Sequence, residues 1–502
     1  MMAIPCLAVG ALLALLVDLP AHGDDTSSPA PIWLEVGALP EALASVDAAV
    51  YVTRETTYAY LTGGKRSDGM ASDNITLVEL RDPGPVGLGS VRPLPVPLYG
   101  HAAVVACARL YIIGGWDGVR WHADVWSAAI EPNGALGAWR TEIGYPFPVA
   151  FHDAVVFGPG CGSGTKLIVL GGARLETSAA AVEAALASGK PLAAPDSEAM
   201  DGVDASTGNS NQVYYSTIYS DGISSTWRAT TPLPAALSRH AAAIWKDVVV
   251  VTGGYDGKTV QARAYTARIA DGGISGWQAN DLPLPVEYHA VAVLGGRLWL
   301  LGGRKNEKKT YAEVFSAPVL TDHSPLLGDW ETENGLGETR YRLAGFAADR
   351  GSIGVYAAAG IHPENDFRSP ITFHAVVPGI AAIQLTNVPT GTLSAGETIS
   401  YTIFYTNGEV DIDDVVVTGT TPEGAVPTRV MIWNLDRLLS NTSGSLVYTA
   451  SVSDSVVVNP GVKMSWSFGE SSYAVTSNTA WNAADVTYAP YIGAFADGNV
   501  GP

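Results

Sequence analysis

The sequence predicts an all-β fold: a ring of small sheets followed by a second, separate β domain. Three observations carry that expectation. Short apolar runs rich in Val, Ile, Tyr and Ala are cut by Gly, Asp-Gly and Pro turns; one pattern recurs six times; and the pattern changes near Ile380. With 502 residues, 47% of them hydrophobic, the chain can bury a large core.

The first element is not part of that core. An apolar run from Leu7 to Val17 and the small-residue step Ala21-His22-Gly23 look like a secretory signal at residues 1–23, although no positive charge precedes the run. An uncleaved anchor or a later start is the alternative. No other apolar run approaches the roughly 20 residues of a membrane helix, so no integral span is expected in the mature chain. The expected location is secreted or cell-surface. Loss of residues 1–23 leaves two cysteines, Cys107 and Cys161, enough for one staple in an oxidising compartment.

The repeat begins next. "YGHAAVVACARLYIIGGWDG" starts at Tyr99, "AFHDAVVFGPGCGSGTKLIVLGG" at Ala150, "SRHAAAIWKDVVVVTGGYDG" at Ser238 and "EYHAVAVLGGRLWLLGG" at Glu287, with fainter copies from Ala48 and Leu343. The glycine pairs start at Gly63, Gly114, Gly171, Gly253 and Gly302, and the last copy relaxes to Ala359-Gly360. Their spacings are 51, 57, 82, 49 and 57 residues, the long one reflecting an insertion at 174–212. Between copies come a strand, a turn, a tryptophan and a proline step, with Trp139, Trp227, Trp277 and Trp330 in register and Val91 in the matching place of the first copy. Each period therefore holds four short strands. Such a sheet cannot cover both its faces alone, but sheets packed around an axis cover one another.

These residues resemble the kelch repeat over 31–377. The resemblance implies a galactose-oxidase-like β-propeller, with each inner strand starting at one rim of a central channel and the turns after each glycine pair on that same rim. Six copies imply six blades. No tryptophan strand follows Ile371 to Val377, while an unmatched one, "PIWLEVGALP" around Trp33, precedes the first copy. If that N-terminal strand is the outer strand of the last blade, the ring closes and leaves no open edge.

From Ile380 the chain alternates apolar and polar residues without glycine pairs. Tyr401, Ile403 and Tyr405 should face one way, Thr402, Phe404 and Thr406 the other. "AGETISYTIFYTN", "VVVTGTTPEGA" and "SNTAWN" resemble the conserved-repeat domain of bacterial surface proteins, which implies an immunoglobulin-like β-sandwich at 380–490, followed by a tail at 491–502. Its expected role is a stalk.

The chemistry is sparse. A net charge of −20 and the lack of a basic run exclude nucleic acid as a partner. His101, His152, His240 and His289 should share the rim, yet residues on separate blades do not converge to the roughly 2 Å a metal ion needs. They are expected to tie blades together, and no metal or other cofactor is expected. Trp116 and Asp117 of "GGWDG", Tyr255 and Asp256 of "GGYDG", and Arg239, His240, Tyr288, His289 and Arg304 place aromatic faces and charges on that rim. Such a mixture suits a glycan or a protein loop, although the Asp-Gly pairs also make turns unaided. The insertion should emerge there too, with a helix capped by Ser178 and stopped by Gly189 and Pro191. Cys107 and Cys161 lie in turns on the opposite rim, either as a disulfide between the second and third blades or as two half-buried thiols. Gly158 to Lys166 is not a phosphate loop, because the order is Gly-Thr-Lys and a strand follows. The acidic stretch Glu409 to Asp414 lacks the ligand spacing of a calcium loop.

The expected function is therefore a secreted or surface-displayed binding or adhesion protein whose rim recognises a glycan or protein. The resemblance also admits a carbohydrate-active enzyme, such as a sugar mutarotase using Glu287 with Arg239. A copper radical oxidase would need a cysteine on that rim, where neither Cys107 nor Cys161 falls.

Overall fold

The computed structural model describes residues 33–483 except 54–55, 81–84, 159–160, 162–163, 176–206, 224, 271–272, 322–323, 350–352, 364–365, 376–379, 389–395, 408–411, 421–424, 427–429, 440–441, 453–455, 460, 469–470 and 478–479. The leader at 1–23, the helix expected after Ser178 and the tail at 491–502 lie outside them. Among the described residues there is no α-helix, and the strands form antiparallel sheets.

Asp47–Val52, Thr57–Thr62, Ile75–Leu80 and Pro85–Ser90 make the first sheet, and Ala102–Ala106, Arg109–Ile113, Val125–Ile130 and Leu136–Thr141 the second. The third and fourth start at Asp153–Phe157 and Ala241–Trp245, and in each the outer position is shared by two short strands. The fifth runs from Ala290–Leu294 to Glu331–Glu333. The sixth comprises Ala344–Ala348, Gly354–Ala358, Pro370–Ala375 and, from the other end of the chain, Leu34–Ala38, with Leu34 opposite Phe373. First strands of successive sheets lie side by side, and that of the sixth lies beside those of the fifth and the first. This is the arrangement expected of a β-propeller. Second strands such as Thr57–Thr62, Val248–Thr252 and Arg297–Leu301 are buried along their whole length, because neighbouring sheets cover both faces.

The glycine pairs have a steric cause. Gly253 and Gly254 have φ of 56° and 92°, and a Cβ on Gly253 would strike the Val286 carbonyl oxygen and the His289 ring of the next sheet. Gly257, with φ of 93°, has open space except for Asn209. Gly253→Ala should therefore cost about 2–4 kcal/mol, against about 1 kcal/mol for Gly257→Ala, which carries backbone strain alone. Urea unfolding of both variants checks the difference.

The tryptophans tie sheets together. Trp139 Nε1 donates to the Pro93 carbonyl at 2.6 Å, Trp227 to Ile143 at 3.1 Å, Trp277 to Thr231 at 3.3 Å and Trp330 to Asp281 at 3.1 Å. Trp33 does the same to Asn334 at 2.7 Å and packs on His374. The expected match at Val91 is corrected. Leu88 lies opposite Val78 as Trp139 lies opposite Ala128, so Leu88 holds the tryptophan's place in the first sheet. The register, Thr76 opposite Ser90 and Val78 opposite Leu88, leaves Val91 beyond the end of the paired strand.

Cys107, in a tight turn with left-handed φ, and Cys161 form a disulfide between the second and third sheets, with Cα atoms 5.2 Å apart. The ends of the insertion meet as paired strands, Ala173–Leu175 with Thr207–Asn209. Beyond Ile380, Thr398–Asn407 and Ser443–Val452 pair in one four-stranded sheet, and Ile412–Thr420 and Lys463–Phe468 in another. Tyr401 and Ile403 are buried in a cluster shared with Val415, Val417, Met464 and Trp466, whereas Phe404 is exposed.

Candidate functional site

Each first strand is preceded by a residue in the left-handed region: Ser45, Gly100, Phe151, Arg239, Tyr288 and Arg342, with φ between 50° and 63°. Only one is glycine. Five non-glycine residues so held cost of order 1 kcal/mol or more each, which persists only where surrounding structure imposes it. Here the imposing structure is a chain of backbone hydrogen bonds from one sheet to the next. Phe151 N–H donates to Gly100 at 2.7 Å, Arg239 to Phe151 at 2.9 Å, Tyr288 to Arg239 at 3.0 Å, Arg342 to Tyr288 at 2.7 Å and Ser45 to Arg342 at 2.8 Å. The twist turns these side chains together at one mouth of the channel.

Their contacts form a lattice of guanidinium groups and rings. The Arg342 guanidinium lies 4.0 Å from the centre of the Tyr288 ring and 5.5 Å from that of Phe151. It donates to Tyr288 Oη and to Ser45 Oγ. Arg239 lies over Tyr255 and Tyr288, and Arg304 over Tyr288 and Tyr341. Glu287, 3% exposed, accepts from Arg239 at 3.1 Å and from Arg304 at 3.0 Å. Stacked, bridged guanidinium groups are pre-organised donors.

Arg239, Tyr255, Tyr288 and Arg304 are thus brought into contact with one another. The others are engaged locally. Trp116 is buried edge-on against Trp121, in the cluster that also holds Phe151, Tyr288 and Tyr341. Asp117 makes its turn, accepting from the Val119 and Arg120 amides, and holds His122 at 2.9 Å. Burial alone would raise the Asp117 carboxyl, but those bonds outweigh it and hold the pKa at about 2. Asp256 likewise accepts from the Lys258 and Thr259 amides and from Gln261.

His240 and His289 are buried and line a cavity of about 360 Å³ that Phe151, Arg239, Tyr288 and Arg342 line as well. Their position follows the pleat, since each is one residue beyond the left-handed position. His101 and His289 sit 2.8 Å and 2.7 Å from Thr62 and Thr252 of the preceding sheets. Burial lowers the pKa of His101 and His240 to about 4, and that of His152 and His289 to about 3, so all four are neutral at physiological pH. Among the described residues no group of three or more His, Cys, Asp or Glu is placed to hold a metal ion.

Sequence reasoning missed four residues. Phe151 and Arg342 occupy the same repeat column as Arg239 and Tyr288, and aligning that column finds them. Asp47 and Asp153, half-buried, line the channel cavity, each accepting its own strand's next amide and one from the following sheet, Ala103 and Ala242. Burial raises both carboxyls, and in Asp153 the charge of Asp47 adds to it.

No family model matches the chain, and no curated protein matches it. Among solved structures, one described as the structure of YjhT is similar at 13% identity with a TM-score of 0.48, covering 68% of this chain and 97% of that one. No residue role is carried over from it.

Among the described residues no helix is long and apolar enough to cross a membrane.

Proposed function

We propose that this chain is a secreted or surface-displayed binding protein. In this reading the six sheets are the blades of one closed propeller, its aromatic and arginine-lined rim recognises a glycan or a protein loop, and the sheets from Ile380 form an immunoglobulin-like sandwich that serves as a stalk. The observation that carries the reading is the left-handed column, which spends conformational strain to present Phe151, Arg239, Tyr288 and Arg342 at one mouth. Rings and guanidinium edges held this way suit a ligand with apolar faces and dense hydrogen-bonding groups.

A mutarotase acting through Glu287 is less well served, because both Glu287 oxygens already accept from guanidinium groups.

Glycan-array and lysate-capture binding of the full chain tests the reading, with Tyr255→Ala as the variant, since Tyr255 is only half-buried and carries no backbone strain. Binding should fall about tenfold or more, as for a central aromatic contact. A ligand that binds Tyr255→Ala as well as the parent chain rules the rim out.

A further inference from the structure

We propose that a second cavity, beside the place where the two ends of the ring meet, binds a small organic anion: a carboxylate or phosphoryl head on an apolar body. The cavity measures about 630 Å³, within the range of metabolite-sized sites. It shares Arg304 alone with the rim residues expected from sequence, and it goes beyond the rim reading above.

Its walls come from three turns. Lys65 and Arg66 follow the first glycine pair, Arg304 follows the fifth, and Arg342 stands on the left-handed column. Two carboxylates, Asp68 and Glu307, share the wall with these four cations. Behind it, Glu41 accepts from Arg66 at 2.8 Å, and Glu287 divides itself between Arg304 and Arg239. Among these described groups the cations Lys65, Arg66, Arg239, Arg304 and Arg342 outnumber the carboxylates Glu41, Asp68, Glu287 and Glu307 by one, in a chain whose net charge is −20. A field of reversed sign at a concave place draws anions.

Two of the cations are already in position. Arg304 and Arg342 are more than nine-tenths buried and held flat against Tyr341 and Tyr288, at 4.8 Å and 4.0 Å. A stacked guanidinium keeps its N–H groups in the plane of its edge, the geometry that meets two oxygens of one carboxylate or phosphoryl group. Low dielectric around them strengthens the bond. Tyr341, Ile361 and Phe367 supply an apolar flank on the same cavity. An inorganic ion would leave that flank unused, which favours an organic body.

Titration calorimetry of the full chain with phenylacetate and with phenyl phosphate, against neutral benzyl alcohol and sodium chloride of matched ionic strength, tests the proposal. At least one anion should bind saturably and benzyl alcohol should not; the preferred anion identifies the head group. Arg342→Gln should weaken binding about tenfold. Because Arg342 also helps close the mouth, the pair Lys65→Gln and Arg66→Gln on the opposite wall is the second probe, expected to weaken binding several-fold while leaving the unfolding temperature in place. Tyr255→Ala should leave anion binding intact, so failure of the rim reading and failure of this one are told apart. Equal binding of benzyl alcohol and both anions, or anion binding untouched by the Lys65 and Arg66 pair and by a folded Arg342→Gln, overturns it.

Discussion

Trp33→Ala lowers the unfolding free energy by about 3–5 kcal/mol, the range for a buried tryptophan, and makes the chain associate at high concentration. Trp33 is 8% exposed, packs on His374 at 5.4 Å and donates to Asn334. Its neighbours Leu34–Ala38 supply the outer strand of a sheet whose other three strands lie more than 300 residues away. Loosening them uncovers the hydrogen-bonding edge of Pro370–Ala375, and an uncovered edge recruits other chains. Trp277→Ala removes an equivalent tie inside one continuous stretch of chain, so it should cost less and leave the protein monomeric. Denaturant unfolding with light scattering compares the two. Equal costs and no association in either would show that closure by the first strand adds nothing.

The second large effect is on pH dependence. His101, His152, His240, His289 and His374 have folded pKa values lowered by burial to about 3 or 4. Below about 6.5 the unfolded chain takes up protons these rings refuse, so they stabilise the fold fully above that pH and lose it as pH falls through the folded values. Asp47 and Asp153 act in the opposite sense. Burial, with mutual repulsion in Asp153, raises their folded values, so they keep protons that the unfolded chain releases above about 4, and stability falls as pH climbs through those values. Between about 4 and 6.5 five imidazoles outweigh the carboxyls and stability rises with pH; Asp47 has lost its proton by about 6, so above 6.5 only Asp153, raised to about 8, remains and the slope reverses. The expected curve peaks near pH 6.5, with an acid limb on the order of 5 kcal/mol or more. Asp153→Asn should flatten the alkaline limb and spare the acid one. A profile flat from pH 6.5 to 9 in the parent chain would refute the role assigned to Asp153.

The sheets were legible in the sequence because their causes are local and repeated. A glycine pair marks where a Cβ would strike the next sheet, and a tryptophan marks an outer strand long enough to reach back. Individual rim roles were less legible, since an Asp-Gly turn reads the same whether its carboxylate faces a ligand or its own amides. At Asp117 and Asp256 the amides won. Asp47 and Asp153 gave no signal at all: their setting comes from enclosure by strands that are distant in the chain. Arg342 was hidden for another reason, as leucine replaces histidine at position 343 and the last copy no longer looks like the others.

Five junctions between sheets carry an indole N–H tie, and the sixth, where Leu88 stands against Gly37, does not. That junction is crossed by residues 39–46, which lead from the outer strand Leu34–Ala38 into the first strand Asp47–Val52. The joint that completes the circle is therefore held by its crossing segment and by Leu88 packed on Gly37 rather than by an indole.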